Sequence, residues 1–158
     1  MRWYKRSVVF AVGLVLELIV ATISCILIKE NRTWLSALVL PFFAFKNFLP
    51  YAVCMEVVYL CTAASLALYT ESAKDLPKGL FLNAVEGGMQ ILTLVFFFKF
   101  TYEITAFFLA TATMIVSAII SFLFLEKNDS AGILRIGTFA VTLYLWTVVY
   151  CILMMNFA

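Results

Sequence analysis

Residues 104–125 read ITAFFLATATMIVSAIISFLFL, twenty-two consecutive positions without a charged side chain. A helix of that length rises about 33 Å, enough to cross the ~30 Å hydrocarbon core of a bilayer. Four further stretches on either side have the same character. They cover 7–28, 50–70, 80–98 and 131–157, and few charges interrupt them. In lipid every backbone polar group must be satisfied within the segment, so helices are the expected form. The sequence therefore predicts an all-α, polytopic membrane protein: a five-transmembrane-helix bundle forming a single transmembrane domain over 1–158.

Composition agrees with that reading. Of 158 residues, 65% are hydrophobic, and only 11 Lys+Arg and 9 Asp+Glu offset them. The mean hydropathy of +1.07 leaves too little polar surface to coat a soluble domain of this size. A net charge of +2 without a basic run gives no footing for nucleic acid. The chain has no histidine. That excludes Ser-His-Asp and Cys-His catalysis, His-bound zinc and His-ligated haem iron. Cys25, Cys54, Cys61 and Cys151 form no C-x-x-C pair, so no metal or redox centre is indicated. Arg2, Lys5 and Arg6 precede the first span like a signal-peptide n-region. The span is too long for such a peptide and lacks a clear A-x-A-type site, so it reads as a retained helix.

Three connections are short. The first, 29–49, is long and carries its own apolar stretch from Trp34 to Phe45. Twelve residues are too few to cross as a helix, so this stretch is expected to lie in the interface or fold back over the bundle as a lid. With five spans the termini fall on opposite sides. Arg2, Lys5, Arg6, Lys74, Lys78, Lys127 and Arg135 then share one side, and Lys29, Arg32, Lys46 and Lys99 the other. The excess favours a cytoplasmic N-terminus. Arg135, close to the start of the last span, is expected to snorkel to the headgroups.

Three glutamates interrupt the spans: Glu17, Glu56 and Glu86. A carboxylate at mid-bilayer costs roughly 2.5–3.5 kcal/mol on insertion scales, so each is a candidate for a packing contact or for intramembrane protonation. The third span is the most polar. Asn83, Glu86 and Gln90 fall at i, i+3 and i+7 and line one stripe, beside Gly87 and Gly88. Ala106, Ala110, Thr113, Ser117 and Ser121 make a small-residue face on the fourth span, suited to packing in the bundle or to a homodimer seam. Trp146 and Tyr150 share a face of the fifth span and could wall a pocket or fill the core.

The layout resembles the translocator protein / tryptophan-rich sensory protein (TspO/MBR) family. That family's first loop carries W-Y-x-x-L-x-x-P-x-W. Here Trp34, Leu38 and Pro41 match, with Phe43 at the second tryptophan position. Val58-Tyr59 followed by Thr62-Ala63 is similar to the family's second-helix stretch L-Y-x-x-M-G-x-A. Aligned on Phe97-Phe98, Glu86 and Gln90 stand where the third helix has Q-x-x-x-N. Phe45-Lys46 stands where the family has a double proline, and the third-helix tryptophans are missing, so the chain resembles a divergent member. The resemblance implies a five-helix bundle that often dimerises. It also implies binding of a porphyrin (tetrapyrrole) or sterol beneath the first loop, with no cofactor required.

The expected function is binding or carriage of a hydrophobic planar ligand. Asn83, Glu86 and Gln90 would meet its polar edge, and Trp34, Pro41, Phe43, Trp146 and Tyr150 would wall it. The alternative is a proton-coupled small-molecule transporter, or a membrane subunit of a larger transport complex, built on Glu17, Glu56 and Glu86. An enzyme is the weakest reading, because no nucleophile–base pair or phosphate loop accompanies the buried carboxyls.

Overall fold

The computed structural model describes residues 2–41, 48–70 and 75–156. Within them the chain is all-helical: α1 (Arg2–Glu30), the short α2 (Arg32–Ala37), α3 (Phe48–Tyr69), α4 (Asp75–Leu94), α5 (Glu103–Lys127) and α6 (Asp129–Asn156). Four stretches are long and apolar enough to cross a membrane: Lys5–Glu30, Asp75–Lys99, Glu103–Lys127 and Asp129–Asn156. With α3, at 22 residues, the long helices number five. Phe42, Phe43, Phe45, Lys46 and Lys74 lie outside the described residues, as do the side chains of Phe48, Tyr51 and Cys54.

Helix ends follow local chemistry. Helix α4 starts five residues before the expected span, taking in Asp75-Leu76-Pro77-Lys78-Gly79. Proline is tolerated in a first turn, where its missing N–H has no intrahelical partner, and Asp75 suits the positive end of the helix dipole. The polar segment 126–130, read from sequence as a loop, is almost wholly helical. Asn128 alone separates α5 from α6. Its N–H bonds the Phe124 carbonyl, and its Oδ1 accepts from the Ala131 N–H at 3.1 Å. One asparagine thus closes one helix and caps the next. A Cβ at Gly132 would meet the Leu125 Cα at 2.4 Å, so this hairpin is as tight as its glycine allows. At the other end, α4 finishes in a π-helical turn, Val95–Lys99. A left-handed Thr101 (φ 51°) then turns the chain into α5.

Packing orders the long helices as a closed ring: α1 against α3, α3 against α6, α6 against α5, α5 against α4, and α4 back against α1. Three apolar layers fill it. Val9, Leu66, Tyr69, Ile120 and Phe124 form the layer nearest the N-terminus. Val20, Met55 and Tyr59 form the middle one. Phe97, Phe98, Ala106 and Ile152 form the layer at the first-loop end. The small-residue face of α5 is wholly buried: Ala106, Ala110, Thr113, Ser117 and Ser121 all point into the bundle. The outward faces carry Phe81, Ile104, Phe108, Phe122 and Ile133, each more than 60% exposed, an apolar coat suited to lipid and not to water.

Candidate functional site

The middle of the ring is polar. Helix α4 turns Asn83 and Glu86 inward, both almost fully buried. From α6 comes Arg135, with no exposure at all. Its Nη1 donates to Glu86 Oε2 at 2.6 Å, and its Nη2 donates to Asn83 Oδ1. Its guanidinium carbon lies 4.9 Å from the centre of the Phe124 ring, a cation–π contact. The headgroup position expected for Arg135 is therefore corrected. The arginine is turned inward because Glu86 and Asn83 offer it a charged and a neutral acceptor, which a lone arginine in lipid would lack.

Glu17 approaches from α1. It is buried and borders the same small cavity as Glu86. Between these groups and α3 is a cavity of about 10 Å³, bordered by Glu17, Tyr59, Thr62, Glu86, Gln90 and Thr138. That is room for about one water molecule. The hydroxyls of Thr62 and Thr138 lie 3.2 Å apart beside it. Glu86 Oε1, Asn83 Nδ2 and Arg135 Nε have no hydrogen-bond partner among the described residues. Gly87 lets α1 approach here, since a Cβ on it would meet Val20 Cγ2 at 2.8 Å. Its neighbour Gly88 faces open space, and α4 runs through both without interruption.

A second locus lies at the first-loop end. Trp34 sets its ring edge-on against Phe97 (5.1 Å, 78°) and Phe98 (5.9 Å, 81°). Leu38 and Leu40 pack on the same cluster, and Pro41 is buried. Asn156, in the last turn of α6, clips this segment. Its Oδ1 accepts from the Val39 N–H at 2.7 Å, and its Nδ2 donates to the Val39 carbonyl at 2.9 Å. Sequence reading passed over Asn156; the available signal was one amide at the end of an apolar span.

The third locus is the α5–α6 seam. Trp146 and Tyr150 stack at 5.7 Å and 7°, with Phe107 against both. Trp146 Nε1 donates to Thr111 Oγ1 at 2.9 Å.

The residues predicted to share one pocket thus occupy three places. Asn83, Glu86 and Gln90 are at the centre, Trp34 and Pro41 at the first-loop end, and Trp146 and Tyr150 on the seam. Phe43 is outside the described residues. Glu17 and Glu86 come together, whereas Glu56 faces outward on α3. Among the described residues no group of three or more His, Cys, Asp or Glu is placed to hold a metal. No family model matches the chain, and no curated protein matches it either.

Proposed function

We propose that this chain is a multi-pass integral membrane protein, with five spans and a cytoplasmic N-terminus, that binds a hydrophobic planar ligand beneath its first loop. A tetrapyrrole or a sterol has the right chemistry. The observation that carries the reading is the clipped segment Trp34–Pro41. It rests on Phe97, Phe98 and Ile152 and is tied to α6 through Asn156. Such a segment suits a lid: an apolar underside, an aromatic bed, and a small number of polar ties. The central cavity of about 10 Å³ takes a water molecule and not a tetrapyrrole, which leaves the first-loop end as the place for the ligand, where it would enter by displacing the lid. The motif resemblance to the TspO/MBR family, carried by Trp34, Leu38 and Pro41, points to the same place.

The orientation rests on the distribution of basic residues. With Arg135 turned inward, Arg2, Lys5, Arg6, Lys74, Lys78 and Lys127 still outnumber Lys29, Arg32, Lys46 and Lys99. The test of function is titration with protoporphyrin IX, in detergent and in liposomes, following tryptophan fluorescence. Saturable quenching is expected, and linear, non-saturating quenching would rule the reading out.

The central cluster favours a second reading, a proton-coupled small-molecule transporter or a subunit of a larger transport complex. Two carboxyls and a guanidinium inside a bundle are costly to keep for packing alone. Uptake into proteoliposomes that ignores a pH gradient would count against it.

A further inference from the structure

The charges at the centre of the ring do not balance. Glu17 and Glu86 border one cavity, and the guanidinium of Arg135 pairs with Glu86. With both carboxyls ionised, the three side chains carry one negative charge in excess. An unbalanced charge is expensive in a medium of low dielectric, so the site is matched to one monovalent cation.

A place for it is built in. The cavity of about 10 Å³ admits one water-sized particle. Its border carries oxygen from three helices besides α4: Glu17 on α1, Thr62 on α3 and Thr138 on α6, with Glu86 and Gln90 on α4 itself. Oxygen donors of this kind suit hard cations, and nitrogen or sulfur donors for a transition metal are absent from the border. Arg135 occupies one oxygen of the Glu86 carboxylate. The other, Oε1, has no partner, and Glu86 is 3% exposed. A divalent ion would overshoot the charge, and no third acidic residue joins the group among the described residues.

We infer that the cavity between Glu17 and Glu86 is a binding site for one small alkali cation, sodium before potassium. Glu86 Oε1, the Glu17 carboxylate, the Thr62 and Thr138 hydroxyls and the Gln90 amide oxygen are its ligands. The site goes beyond the proposed ligand binding and lies apart from the first-loop end, so porphyrin quenching can fail while this inference stands, and the reverse.

The experiment is thermal unfolding of the full chain in non-ionic detergent at pH 8. NaCl is exchanged for N-methyl-D-glucamine chloride at constant ionic strength. A saturable rise of a few degrees in Tm with sodium, smaller with potassium, is expected. Glu17→Gln balances the cluster without any cation. It should lose the sodium response and be at least as stable as the parent in N-methyl-D-glucamine. If that variant does not fold, Gln90→Leu removes a ligand oxygen without touching the charges and should weaken the response at least threefold in sodium concentration. Equal Tm values of the parent in all three salts, the result expected if a proton balances the charge, overturn the inference. So does a sodium response that Glu17→Gln, or Gln90→Leu in its place, retains in full.

Discussion

Arg135 of α6 and Glu86 of α4 form a 2.6 Å ion pair between two helices that are not neighbours in the ring. The pair spans the interior of the bundle and does not seal a helix–helix seam. Removing either partner leaves the other buried without its direct ion-pair partner. Glu86→Ala and Arg135→Ala should each cost about 3–5 kcal/mol, the range for breaking buried pairs. The double substitution Glu86→Leu/Arg135→Leu removes both charges and should cost clearly less than the two single losses combined. Thermal unfolding of the parent, of Glu86→Leu and Arg135→Leu singly, and of the double variant closes the cycle. Single substitutions costing under 1 kcal/mol would show that the pair is solvated and not buried.

Helix α6 and the first-loop segment are joined through the Asn156 side chain and the Val39 backbone. Two hydrogen bonds are worth about 1 kcal/mol each, too little to hold the bundle but enough to hold a lid. Asn156→Ala should leave Tm within a few degrees of the parent. With Trp3 and Trp146 replaced by Phe, acrylamide should quench Trp34 more strongly in the Asn156→Ala protein. Unchanged quenching would mean that the packing of Trp34 on Phe97 and Phe98 holds the segment without the clip.

These two relationships were not equally legible in the sequence. The long apolar stretches were plain, because lipid exposure demands uninterrupted hydrophobicity over a fixed length. The inward stripe of Asn83 and Glu86 was also legible from its spacing. The depth of Arg135 was not. It begins only six residues into α6, about 9 Å from the helix start, while Glu86 sits about 17 Å into α4. The long arginine side chain closes much of that difference, and which helix it reaches depends on ring order. Ring order is a tertiary fact with no local signature. The same holds for Trp34 and Trp146. Both read as candidate pocket walls, but one lies in the first-loop segment and the other on the α5–α6 seam. The 126–130 segment failed for a local reason. Its polarity resembles a loop, but Asn128 serves both helices, so no loop is needed.

Gly132 and Gly137 offer a matched pair on α6. A Cβ at Gly132 would sit 2.4 Å from the Leu125 Cα, a backbone atom that cannot step aside, whereas nothing lies within 4 Å of Gly137. Gly132→Ala must pry the α5–α6 hairpin apart and should cost about 1–3 kcal/mol, as overpacking does. Gly137→Ala should be neutral or stabilising by up to about 1 kcal/mol, because alanine is the better helix former. The comparison is read as two Tm values in one detergent. Equal effects would mean that the α5–α6 junction has room for a methyl group at position 132.

Trp34 and Trp146 separate the lid site from the seam. Trp34 touches Phe97 and Phe98 under the first loop. Trp146 is committed to Thr111 and to the stack with Tyr150 and Phe107, and Tyr150 is 40% exposed on the outer side. If the proposed binding holds, a flat ligand that displaces the first-loop segment would take over the aromatic bed that Trp34 now covers and would lie nearer to that indole than to Trp146. Trp34→Phe keeps an aromatic ring at the lid, but its smaller face should lower protoporphyrin affinity about tenfold, equivalent to about 1.4 kcal/mol. Trp146→Phe should change affinity less than twofold, because its loss disturbs one hydrogen bond on the far side of α6. Fluorescence makes the distinction sharper. With Trp34 as the sole tryptophan, saturable quenching should be deeper than with Trp146 alone. The opposite pattern would move the ligand to the outer α5–α6 seam and leave the first loop with no part in binding.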